Sequence, residues 1–200
     1  MIHLRAAGWN RRPFRPWRRI WVLTLISILT LACRGIADET ARPSPLVKAV
    51  RVGLAAHDVD GLWSRSSKEK GPDLCIQVTL HRPFFDVPGT TLLPNFGISI
   101  NTRGDTSKVY GGVQLTWMLG RDLFFTTGIG LALHNGETDT DDSDRKSLGS
   151  VVLFRIPLEV GYVINGHHRI IFAFDHISNA YLASENEGMD TLGLFYEYQF

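Results

Sequence analysis

Cysteine is nearly absent, with Cys33 and Cys75 the only two in 200 residues, so no disulfide framework holds this chain together. Acid is absent from residues 1–37, which carry seven arginines: Arg5, Arg11, Arg12, Arg15, Arg18, Arg19 and Arg34. The rest holds fourteen of the 21 basic residues and all 20 acids, a balance near −6, which argues against a nucleic-acid surface. No apolar run reaches the roughly 20 residues of a helical membrane span. The longest, Ile20–Ala32, follows Arg18-Arg19 and precedes the small-residue site Gly35-Ile36-Ala37. A basic start, a short apolar run and a small-residue site predict a secretory signal peptide over 1–37, cleaved after Ala37. A lipoprotein signal would want Leu three residues before Cys33, where Thr30 stands. Arg11-Arg12 reads as part of a long basic leader rather than a twin-arginine signal. Cleavage would leave 38–200 as one domain with Cys75 alone.

Helical periodicity is also missing from 38–200. Short segments of alternating apolar and polar residues are separated by Gly, Asp, Asn and Ser clusters, the pattern of strands. Eight are expected, near 47–57, 74–82, 94–102, 108–119, 123–134, 148–163, 168–178 and 190–200. In the last three the even-numbered residues are large and apolar: Val152, Phe154, Ile156, Leu158 and Val160; Ile170, Phe172 and Phe174; Leu192, Leu194, Tyr196 and Tyr198. Odd positions carry Arg155, Glu159, Arg169, Asp175 and Glu197. A soluble sandwich and a membrane barrel share this alternation. Three details favour an all-β, eight-stranded antiparallel transmembrane barrel of the outer-membrane type. The chain ends on an aromatic residue, Phe200. Tight turns at 120–121 and 164–166 alternate with long polar loops at 58–73, 135–147 and 179–189. Tyr196, Tyr198 and Phe200 suit an interfacial aromatic girdle. For the 164–166 turn, equal parity of its flanking strands requires a three-residue loop, with Gly166 in the left-handed conformation. The connection 83–93 is longer than the barrel pattern expects.

One cluster carries chemistry. His176 and Ser178 are two apart and share a face, the apolar one. Asp190 has the same parity on the next strand, and a pairing of 176 with 190 would set Ser, His and Asp side by side. Ester cleavage by a nucleophile needs that set: a hydroxyl, an imidazole to take its proton, and a carboxylate to orient the imidazole. A rim histidine with polar neighbours is the plainer alternative.

His176-Ile177-Ser178-Asn179-Ala180, then Asn186-x-Gly188-x-Asp190 and an aromatic-ended strand, resembles the lipid A 3-O-deacylases, the PagL family. Phe154, within Leu153-Phe154-Arg155, matches that family's functional phenylalanine. These motifs cover about residues 150–200; upstream the likeness rests on strand count and on Ser99–Thr106. The resemblance implies an outer-membrane esterase acting on lipid A of lipopolysaccharide. It makes Ser178 the nucleophile, His176 the general base and Asp190 the orienting acid. The best-known members carry Glu where Asp190 stands, and Glu185 or Glu187 are lower-ranked substitutes. Asn179 and Asn186 become candidate oxyanion donors, and Phe154 a shaper of the acyl groove. No cofactor, metal or nucleic acid is expected; a homodimer is compatible with such a barrel. Rival readings are a catalytically silent structural or adhesin-like barrel and a soluble periplasmic lipid-binding barrel.

The remaining features read as bland. The acidic loop Glu137, Asp139, Asp141, Asp142 and Asp144 lacks calcium-loop spacing. His57, His81, His134, His167 and His168 are expected to be structural or surface residues, and Cys75 inert.

Overall fold

The computed structural model describes residues 45–60, 63–64, 66–83 and 85–200. The expected signal segment 1–37 lies outside them. The described residues form nine strands: β1 (Val47–Ala56), β2 (Pro72–Leu80), β3 (Phe85–Val87), β4 (Thr90–Asn101), β5 (Lys108–Met118), β6 (Leu123–His134), β7 (Val152–Val163), β8 (His168–Ser178) and β9 (Met189–Gln199). All pairings are antiparallel, β1 joins β9, and β2 also pairs with β4, so eight strands close on themselves. The barrel strands run 9 to 12 residues, and about 9–11 suffice to cross a bilayer when tilted.

The side-chain distribution separates the two readings of the alternation. Apolar residues such as Val52, Leu54, Ile76, Phe96, Leu131, Phe172 and Leu194 are exposed on the outside. Charged residues Arg51, Lys108, Arg155, Glu159, Asp175 and Glu197 are buried in the lumen. A soluble barrel reverses this distribution, since its apolar face must leave water. An outer-membrane barrel requires it. Each of these six charges has a partner, as burial demands. Arg51 makes two 2.7 Å contacts to Glu159 and a third to Gln77, while Lys108 Nζ and Arg155 Nε each lie 2.7 Å from Asp175. The Arg155 guanidinium also sits 3.9 Å from the Tyr110 ring centroid.

Three expectations need correction. The long 83–93 connection is a small hairpin, in which Phe85–Val87 pairs with the first residues of β4. Residues 148–151 are not strand: Leu148 and Gly149 donate backbone hydrogen bonds to Glu137 and Thr138, folding the loop over the barrel mouth. At the β7–β8 turn, Val163 pairs with Arg169, which preserves parity. Gly166, however, is not among the residues with positive φ. The turn is held instead by Asn165 Oδ1, which accepts from the His167 and His168 amides. A side-chain-capped turn removes the need for a left-handed glycine.

At this tight-turn end, Tyr198 stacks on His167 and meets Phe200 edge-on. The opposite end carries the connections 57–71, 102–107, 135–151 and 179–188.

Candidate active site

β8 and β9 pair in a register that sets His176 opposite Asp190. Phe154 of β7 lies opposite Ser178, and Ile156 opposite His176. Even-numbered residues of all three strands face outward, so His176, Ser178 and Asp190 lie on the outer wall, at the long-loop end. His176 Nδ1 donates to Asp190 Oδ1 at 2.6 Å. In that tautomer Nε2 is the acceptor, and Ser178 Oγ lies 3.0 Å from it. The chain Ser178–His176–Asp190 is continuous.

Asp190 is fully buried, although Leu194 and Tyr196, farther along the same face of β9, are exposed. The cover is the β1–β2 loop. The amides of Trp63 and Ser64 both donate to Asp190 Oδ2 at 2.7 Å, and Val59 N donates to the Asp190 carbonyl. The Trp63 indole meets the His176 ring edge-on, with centroids 5.0 Å apart, and Phe174 likewise at 5.2 Å. Trp63 and Ser64 lie 127 and 126 residues from Asp190. No local spacing signals such a contact, and sequence reasoning missed it.

The approach to the site is tightly turned. Gly188, at φ +61°, passes so close that a Cβ there would lie 3.2 Å from His176 Cε1. After Ser178 the chain reverses through Ala180 and Tyr181, both at positive φ, a conformation that costs a non-glycine residue and persists only where its surroundings enforce it. Asn179 supplies the enforcement. Its amide nitrogen donates to the carbonyls of Leu148 and Glu185, and its backbone N–H donates to Asn186 Oδ1 at 3.0 Å. Both side-chain hydrogens of Asn179 are therefore engaged. Asn186 Nδ2 has no partner among the described residues, so of the two expected oxyanion donors it is the one whose amide is available. Glu187 lies in an ion pair with Lys68 at 2.7 Å and accepts from Ser147 N; Glu185 contributes its backbone carbonyl to Asn179. Neither carboxylate contacts His176.

The β1–β2 loop is itself clamped. Asp58 Oδ2 accepts from the amides of Lys68 and Glu69, and its other oxygen lies 3.1 Å from Lys146 Nζ. His57 bridges Glu69 and Asp73 at 3.1 and 2.9 Å. Burial disfavours the His57 charge, but its hydrogen bonds to the two carboxylates outweigh burial and push its pKa up to about 9. Burial likewise works against the Glu69 carboxylate. His57, both donors of Thr106 and the Lys146 amide override it and hold the pKa at about 2. Among the described residues no cluster of His, Cys, Asp and Glu has the geometry of a metal centre.

Residues 88–199 match the family model described as lipid A 3-O-deacylase (PagL). The chain belongs to that family. The lipid A deacylase PagL of Bordetella bronchiseptica is 30% identical over 84 residues, which is 42% of this chain and 45% of that protein. The crystal structure of the outer membrane enzyme PagL superposes with a TM-score of 0.55 at 19% identity, over 76% of this chain and 99% of that one. The PagL barrel is thus shared almost end to end, whereas the sequence match spans less than half of the Bordetella relative. His176, Ser178, Asn179, Asn186 and Asp190 all fall inside the segment matched by the PagL family model.

Proposed function

We propose that this PagL-family barrel is an outer-membrane esterase that hydrolyses the 3-O-linked acyl chain of lipid A. The observation carrying this reading is the Ser178–His176–Asp190 chain of hydrogen bonds on the lipid-facing wall, at the end where outer-membrane barrels carry their external loops. A polar catalytic set facing lipid is costly unless it has a task there. Lipopolysaccharide fills the external leaflet, so its ester reaches such a site by moving sideways within the membrane.

Ser178 Oγ attacks the ester carbonyl as His176 Nε2 takes its proton, and Asp190 stabilises the imidazolium through Nδ1. The Asn186 amide, which has no partner among the described residues, is the candidate donor to the oxyanion. Collapse expels the sugar 3-oxygen, which takes the proton back from His176. Water, activated by the same imidazole, then releases the fatty acid from Ser178. Phe154, across the strand pair from Ser178 and partly exposed, lines the path of the acyl chain with Ile156.

The test is incubation of purified, detergent-folded protein with lipid A, followed by mass spectrometry of both products. The expected result is one free fatty acid per lipid A, released from the 3-position. Intact lipid A after prolonged incubation with folded protein would reject the esterase reading in favour of a silent barrel.

A further inference from the structure

We propose that Trp63, from the first loop, is a positioning residue for the His176–Asp190 pair; this rests on the esterase reading. An imidazole beside a carboxylate can still turn about its χ2 axis, and its second nitrogen is useful only when aimed at the hydroxyl. Besides its contact with the Ser178 hydroxyl, the His176 ring is held by the 2.6 Å bond from Nδ1 to Asp190 and by the edge-on indole of Trp63. The same dipeptide fixes the carboxylate, because the Trp63 and Ser64 amides both close on Asp190 Oδ2. One short stretch therefore holds the base by its ring and the acid by its free oxygen. The indole also packs on Phe174, one step down the outer face, and half of its surface remains open. It separates the His–Asp pair from the surrounding lipid and water.

Aspartate fits this arrangement. A carboxylate on a short arm cannot follow a wandering imidazole, so both must be fixed from outside the β8–β9 hairpin. The loop can serve because it is itself clamped through Asp58, His57, Glu69 and Lys146.

The experiment compares Trp63→Phe and Trp63→Leu with the wild-type chain. Barrel closure is checked by the heat-dependent shift on a gel. A fluorophosphonate then reads the nucleophile without an acyl chain to recognise: the Ser178 Oγ–P bond forms, fluoride leaves, and the proton passes to His176. Phenylalanine keeps an aromatic edge against His176, whereas leucine fills the space without one. We expect Trp63→Leu to slow labelling by about 10- to 100-fold, the scale of a misplaced catalytic group, with lipid A deacylation falling in parallel. Trp63→Phe should recover most of the rate. Trp117→Ala, which removes an indole stacked on Phe125 near the opposite end of the barrel, should leave labelling unchanged. Equal labelling of Trp63→Leu and the wild type overturns the inference, as does a Trp63→Phe chain that fails to close or labels as slowly as Trp63→Leu. A wild-type barrel that closes but never labels overturns the serine-esterase reading itself, which separates the two failures.

Discussion

Asp190 accepts three hydrogen bonds on two oxygens, one from the imidazole and two from backbone amides. Such a carboxylate is held still, which is what orienting a base requires. Losses within a unit of this kind are not additive: Ser178→Ala and His176→Ala should each cost on the order of 10⁶-fold in kcat, the double variant no more, and Asp190→Ala on the order of 10⁴-fold. Asp190→Glu restores the length common in the family, yet here the extra methylene must displace the Trp63 and Ser64 amides. We expect it to be slower than wild type in steady-state deacylation. Full activity in Asp190→Ala would remove Asp190 from the unit. The relation of 176, 178 and 190 was legible in the sequence because all three lie on two adjacent strands, where parity alone assigns the face. The fate of Asn179 was not legible. Whether an amide is free or spent depends on the carbonyls of Leu148 and Glu185, and only the folded loops bring these near.

At the scale of elements, the β1–β2 loop is the piece that the strand pattern could not describe. Alternation with period two reports which side of a strand faces lipid; it carries nothing about how a loop without periodicity packs. Asp58, Glu69 and Lys146 are ordinary loop polar residues in sequence, yet all three are buried. Their clamp has a defined pH range. His57, with its pKa raised from 6.5 to about 9, contributes stability in full below pH 6.5 and loses it as pH rises through 9. Glu69, lowered from 4.5 to about 2, contributes above pH 4.5 and loses it as pH falls toward 2. Thermal unfolding in detergent should therefore show a falling midpoint between pH 6.5 and 9, and His57→Gln should flatten that slope. An unchanged slope in His57→Gln would assign the pH response to another group.

For the whole molecule, the eight barrel strands, their closure and their outward face followed from alternation and turn spacing. The contents of the lumen did not. Arg51 meets Glu159 across 108 residues of sequence, and strand patterns say only that both point inward. The pairing matters because each charge is sealed from water, and removing one partner from such a buried pair typically costs about 3–5 kcal/mol. This internal scaffold leaves the outer wall free to carry chemistry in the membrane plane. The most direct test of that account is mass spectrometry of lipid A from cells making the wild-type chain or Ser178→Ala, with both barrels shown to be closed and inserted. The account predicts lipid A lacking its 3-O-linked acyl chain in wild-type cells and intact lipid A with Ser178→Ala. Identical lipid A in the two strains, or deacylation that persists with Ser178→Ala, would contradict it.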